Sequence, residues 1–329
     1  MPLLTEVKDK IFSVTHNNFE TLALEIFQYQ AAQNPVYEQY LHFLGINPKE
    51  VKKVVQIPFL PIELFKSHRV ISGSGEPQTI FESSGTTGTI PSRHFVTDLS
   101  IYNESLLKGY THFFGDPSQY TFLALLPSYL ERQTSSLTYM MQYLMDINPN
   151  GDNGFYLYDH DLLASKMAQL ISEGRKIFFI GVSFALLDFA DSYQPDLSNA
   201  IIMETGGMKG RRKELIRAEL HQVLKSAFNA HHIMSEYGMT ELLAQAYARQ
   251  DGLFETPPWM KLMIRDPNDP FAWMPEGQTG GLNIIDLSNI NSCSFVATQD
   301  IARQTTDGRF EIMGRFDNSD LRGCSLMYE

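Results

Sequence analysis

Residues 176–207 read KIFFIGVSFALLDFADSYQPDLSNAIIMETGG. Residues 176–181 form a short apolar run rich in Ile and Phe, which predicts a buried strand. Residues 184–190 carry apolar side chains at helical spacing. Residues 200–203 are apolar again and run into Thr205-Gly206-Gly207. Two parallel strands need a crossover, and a helix between two short strands supplies one.

The same alternation extends in both directions. Upstream, residues 120–126 predict a strand and 135–145 a helix. Residues 78–82 predict a strand, 83–88 a polar turn, and 99–113 a helix with Thr97 or Asp98 as its N-cap. Downstream, residues 211–228 predict a long helix, 232–235 a strand and 240–247 a helix. Repeated strand–helix units predict an α/β chain with a helix-covered, mostly parallel sheet. Before it, Phe19, Leu22, Ile26 and Phe27, then Tyr37, Tyr40, Leu41 and Leu44, recur at helical spacing. Pro58 and Pro61 break that pattern. After residue 258, short runs at 260–264, 281–286, 294–298 and 310–314 predict a smaller β-rich subdomain. The expected organisation is a helical region over 1–77, a nucleotide-binding α/β core over 78–258, and a β-rich subdomain with a tail over 259–329.

Bulk properties narrow the function classes. The chain is 43% hydrophobic with a net charge of −12, so a sizeable core is expected, while nucleic acid and anionic membrane are disfavoured partners. No apolar leader follows Met1, and no run of about 18 apolar residues predicts membrane insertion. Cys293 and Cys324 are the two cysteines, too few for a disulfide framework. Together these features predict a cytoplasmic protein.

Four motifs carry chemistry. Ser83-Ser84-Gly85-Thr86-Thr87-Gly88-Thr89 offers glycine backbone N–H groups and hydroxyls, either as a cradle for phosphate oxygens or as a plain polar turn. It is not a Walker A loop, because no lysine follows Gly88. Ser235-Glu236-Tyr237-Gly238-Met239-Thr240-Glu241 falls where open α/β sheets bind ligands, beyond a strand end. Thr298-Gln299-Asp300 follows another predicted strand, and Gly314-Arg315-Phe316-Asp317 supplies a guanidinium suited to phosphate or carboxylate. Each alone has an ordinary reading as a cap, a turn or a surface charge. Lys209-Gly210-Arg211-Arg212-Lys213 is a dense basic run placed at a predicted helix start. His231 and His232 are adjacent on a predicted strand and so point to opposite sides. Phe122, Leu125, Tyr129, Val182, Phe184 and Met203 are apolar and lie near predicted strand ends, in the core or at an acyl pocket.

Taken in order, the four motifs resemble the adenylate-forming superfamily over about residues 78–324. The stretch from Ile57-Pro58-Phe59 to Phe65-Lys66 and the end near Arg322-Gly323-Cys324 resemble the acyl-protein synthetase (LuxE-type) group, with phenylacetate-CoA ligases as cousins. The resemblance implies an adenylate-forming N-terminal-domain-like fold without the usual C-terminal domain and its adenylation lysine. It implies ATP and Mg²⁺ as cofactors. Ser83 to Thr89 would grip the phosphates, Gly206 and Gly207 would pass near adenine and acyl group, and Tyr237 would stack on adenine beside Gly238. Thr240 and Glu241 would serve phosphate and Mg²⁺, Asp300 would bind ribose, and Arg315 would reach ribose or phosphate. Cys324 would take the acyl group as a thioester, and Cys293 is read as structural. Where the superfamily has Pro-Lys after the phosphate loop, this chain has Pro91-Ser92-Arg93, so Arg93 stands in as a catalytic cation, with Lys209 a further candidate.

The activity implied is ATP-dependent activation of a carboxylic acid, a fatty acid in this group, to an acyl-adenylate. Acyl transfer to a thiol follows, with an acyl reductase or an acyl carrier protein as partner. Two alternatives stay open: an acyl-CoA or acyl-carrier ligase, and a non-catalytic nucleotide-binding subunit of an acyl reductase complex.

Overall fold

The computed structural model describes residues 2–83, 90–126, 134–148, 151–206, 212 and 215–316, with side chains from residue 7 onward. The chain opens on three helices, α1 (Pro2–Phe12), α2 (Phe19–Gln33) and α3 (Pro35–Phe43). Asn34 separates the last two: its side chain accepts from the backbone N–H groups of Val36 and Tyr37, with Pro35 in the first turn of α3. The α2 helix buries Phe19, Leu22, Ile26 and Phe27. It also buries Gln30, whose amide nitrogen donates to the carbonyls of Asn289 and Ile290, and whose oxygen accepts from Ser294 N at 2.9 Å. These helices are thereby fixed to the far end of the sequence.

A short strand β1 (Leu60–Pro61) and helix α4 (Leu64–Ser67) lead to a hairpin, β2 (Thr79–Glu82) and β3 (Arg93–Val96). The β3 strand was not expected from sequence, because Arg93 and His94 interrupt its apolar pattern. The α5 helix (Leu99–Phe114) is capped by Asp98, one of the two caps anticipated. Then come β4 (Thr121–Leu125), α6 (Ser136–Ile147), β5 (Gly154–Tyr156), α7 (His160–Ser172), β6 (Ile177–Val182), α8 (Ser183–Ser192), β7 (Ile201–Thr205), α9 (Arg217–Phe228), β8 (Met234–Tyr237) and β9 (Ala246–Ala248). The sheet order is β5-β4-β6-β7-β8-β9, parallel except for the antiparallel β8–β9 pair. Sequence reading missed β5 and α7, although Asp159 caps α7 and Leu163, Met167 and Leu170 form its buried stripe.

A second sheet contains β10 (Leu253–Phe254), β11 (Met260–Arg265), β12 (Thr279–Asp286), β13 (Phe295–Gln304) and β14 (Phe310–Arg315), in the order β10-β14-β13-β12-β11. The β1 strand joins it in parallel beside β13.

Three local expectations are corrected. Residues 240–247 are not a helix. The N–H groups of Leu243 and Ala244 donate to buried Asp286 at 2.8 and 2.9 Å, and Ala246 pairs with Tyr237 in the β8–β9 hairpin. Among the described residues, the helix expected from residue 211 begins at Arg217, so Arg212 does not stand at its start. Arg212 instead pairs with Asp188 and Asp191. His231 and His232 precede β8 and are exposed, rather than lying on a strand.

Candidate active-site cleft

A cleft of about 1600 Å³ lies at the C-terminal ends of β7 and β8 and reaches β13 and β14. This is the rim where a parallel sheet leaves room for a ligand. Its lining includes Ser83, Gly206, Tyr237, Gly238, Thr240, Glu241, Asp300 and Arg315. Motifs spread over more than two hundred positions of sequence thus converge on one opening. Ser84, Gly85, Thr86, Thr87, Gly88, Thr89, Gly207, Lys209 and Cys324 lie outside the described residues.

A three-part contact anchors the rim. The Tyr237 hydroxyl donates to Asp300 Oδ2 at 2.5 Å, and Arg315 Nε donates to Asp300 Oδ1 at 2.9 Å. Strand pairing explains it, since Asp300 and Arg315 face each other across β13 and β14. Asp300 is nearly buried while the Arg315 side chain is 74% exposed, so the guanidinium caps the carboxylate from solvent. Burial, reinforced by the Asp300 charge, pushes the Tyr237 phenol well above its usual range. It remains a neutral donor.

Thr240 and Glu241 are held through their backbone. The Thr240 carbonyl accepts from His94 Nδ1 at 2.8 Å, and the Glu241 carbonyl accepts from Asn289 Nδ2 at 2.7 Å. Burial lowers the His94 ring to about 4. The Nδ1–H tautomer of neutral imidazole is the one that can donate here. The Glu241 carboxyl is buried and raised for that reason, opposed by the Ser92 hydroxyl and the Arg315 charge. Ser83 closes the base of the β2–β3 connection: its hydroxyl accepts from Ser92 N at 2.9 Å, and its N–H donates to the Ser92 carbonyl at 3.0 Å. Gly206 follows β7 with φ of 66°, a left-handed conformation natural to glycine.

Arg93 is not brought to this opening. It is exposed on β3, with its guanidinium 5.6 Å from the Phe95 ring centroid, while His94 points the other way to Thr240. The apolar candidates Phe122, Leu125, Val182, Phe184 and Met203 are buried in the core and do not line the cleft. Tyr129 lies outside the described residues. Cys293 is fully buried, and desolvation pushes its thiol up to about 12, which fits a structural reading.

Sequence reasoning missed two acids, Glu204, which is buried, and Glu236, which is half-buried at the cleft. Glu204 on β7 contacts Arg217 at 3.3 Å, His221 at 3.5 Å and the Ser183 hydroxyl at 3.2 Å. Burial alone would raise it, but the His221 bond and Arg217 charge hold it below the usual range. Glu236 on β8 accepts from the Thr205 hydroxyl at 2.6 Å. Burial pushes it up to about 7, with the Glu204 charge adding to that rise and the Thr205 bond opposing it. A charge inside the apolar run Ile201-Ile202-Met203-Glu204 was the available signal, since such a residue must find partners.

No family model matches the chain. The long-chain-fatty-acid–luciferin-component ligase of Vibrio harveyi is 24% identical over an alignment of 357 residues, which takes in 98% of this chain and 92% of that one. The chain is thus similar over nearly its whole length to a LuxE-type acyl-protein synthetase. Solved structures show the fold of this chain to be that of adenylate-forming ligases. A 2-hydroxyisobutyryl-CoA ligase in complex with 2-HIB-AMP and CoA superposes with a TM-score of 0.67 at 13% identity, covering 94% of this chain and 71% of that one. ATP-bound MatB from Rhodopseudomonas palustris gives 0.56 at 16% identity, covering 72% of this chain. The chain matches only about half, 47%, of MatB's length.

Proposed function

We propose that this protein activates a carboxylic acid with ATP and passes the acyl group to a thiol. The observation that carries the reading is the Tyr237–Asp300–Arg315 contact on the same cleft as Thr240 and Glu241, in a chain akin to a fatty-acid ligase over nearly its whole length. The nucleotide lies across the rim. Its purine rests against Tyr237, its ribose hydroxyls donate to the remaining lone pairs of Asp300, and Arg315 reaches ribose or phosphate. Residues Ser83 to Thr89 hold the phosphates.

The acid occupies the arm lined by Tyr102, Leu137 and Met140. Its carboxylate oxygen attacks the α-phosphorus, the bond to the β-phosphate oxygen breaks, and pyrophosphate leaves. Positioning and charge neutralisation carry such a step. Mg²⁺ bound to the phosphates would neutralise charge there, and Glu241 would help hold it. The donor set fits that ion: Glu241 brings one buried carboxylate to the cleft, and Mg²⁺ is usually held by one or two carboxylates plus substrate phosphates. A thiolate then attacks the acyl carbonyl, the bond to AMP breaks, and a thioester remains. Cys324 is the proposed thiol, and an acyl reductase or carrier protein the next acceptor. No helix among the described residues is long and apolar enough to cross a membrane.

Acid-dependent pyrophosphate release tests the first half. Cys324→Ser tests the second: release persists while the hydroxylamine-labile acyl label on the protein disappears. If the label survives in that variant, Cys324 is not the carrier.

A further inference from the structure

We propose that Glu236 selects the acid, accepting a hydrogen bond from a hydroxyl or amino group that the substrate carries close to its carboxylate. The inference rests on the reading above, that the arm beside Tyr102 takes the acid. Alternation along β8 puts Tyr237 against Asp300 and turns Glu236 to the opposite side. There Glu236 faces Tyr102 of α5 and its cross-strand partner Tyr247, both of whose phenols are raised in part by its charge.

The hydrogen bonding of Glu236 is incomplete. One oxygen accepts from Thr205. The other lies directly over Gly238, where an added Cβ would come within 2.4 Å of it. Glu236 lines the cleft, and no described residue donates a hydrogen bond to that second oxygen. The Tyr102 hydroxyl is turned to the Ser136 carbonyl at 3.2 Å. Among the described residues no cation pairs with Glu236, and the other charge acting on it is the acid Glu204.

A plain hydrocarbon chain seated in this arm would strip water from the open oxygen and return nothing, which is a net penalty. A substrate hydroxyl or amine would return the lost hydrogen bond. Pockets built around such an acceptor discriminate strongly against analogues lacking the donor. Gly238 belongs to the same device, because any side chain there would displace the carboxyl.

The test uses the full-length protein and matched acids on one carbon skeleton, bearing hydrogen, hydroxyl or amine at carbon 2 or 3. Pyrophosphate release is measured for wild type, Glu236→Gln and Glu236→Leu. Wild type should favour a donor-bearing acid over the plain acid by about tenfold or more in kcat/KM. Glu236→Leu should reverse that order. The isosteric Glu236→Gln should keep a hydroxyl preference but lose an amine preference, which tells the two donors apart. The inference is overturned if wild type prefers the plain acid, or if Glu236→Leu releases pyrophosphate with the preference unchanged. Release with none of the acids would overturn the broader reading, and this inference with it.

Discussion

On one side of β8, Tyr237 meets a carboxylate that already has a cation. On the other, Glu236 is a carboxylate with no cation paired to it among the described residues. The two residues are adjacent in sequence, and a strand's two-residue period sends them into different surroundings. Asp300 is pinned by Arg315 across a strand pair and by the Tyr237 hydroxyl. Glu236 lines the cleft and is held by one threonine, and no described residue donates to its second oxygen. A single short motif can thus serve two subsites: a charge-balanced one suited to a polar nucleotide, and an unbalanced one suited to a hydrogen-bond donor.

The largest effect should come from breaking the balanced side. Asp300→Ala removes the acceptor of both Tyr237 and Arg315. Pyrophosphate release should fall about 100-fold in kcat/KM, of the order expected when a charge-assisted contact is lost together with a substrate contact. A loss of only a fewfold would remove the ribose role from this residue.

Tyr237→Phe keeps the ring and deletes only the hydroxyl. About 1 kcal/mol is at stake. Nucleotide affinity by calorimetry should therefore weaken roughly fivefold, with the purine still stacked. If Tyr237→Phe proves as damaging as Asp300→Ala, the hydroxyl matters more than the ring.

The unbalanced side is read through its pH dependence, whose sign follows from the raised carboxyl. Folded Glu236 titrates near 7, above the usual carboxylate range. Between about pH 4.5 and 7 the folded state therefore holds more proton than the unfolded one, and this residue's contribution to stability declines as pH rises through that window. Glu236→Gln lacks the decline. Urea unfolding should show the variant gaining roughly 1–3 kcal/mol on wild type between pH 4.5 and 7.5. Glu204, lowered in the folded state, works in the opposite sense, losing its contribution as pH falls.

Much of this arrangement was legible in sequence because the strands announce themselves. The apolar run at Ile177–Val182 and the glycine after β7 placed the sheet rim, and each of the four motifs contributes residues to its lining. What escaped was set by partners distant in the chain. Residues 240–247 look helical until Asp286 takes two of their N–H groups. His94 looks like a surface residue until it meets the Thr240 carbonyl. Arg93 was chosen by its position after Pro91, but it is exposed on β3, and strand alternation aimed its neighbour His94 inward at the Thr240 carbonyl. Glu236 was in plain view beside Tyr237, yet nothing local shows that it lacks a counter-ion among the described residues.

Gln30 has a consequence for anyone dissecting this protein. Its single amide satisfies two carbonyls and one N–H in the 289–294 bend. Deleting residues 1–77 would remove the partner of all three together with the apolar cover of Phe19, Leu22, Ile26 and Phe27, a loss of several kcal/mol. Fragment expression beginning at the phosphate loop should yield insoluble material, whereas the opening helices supplied as a separate polypeptide could rescue it by complementation.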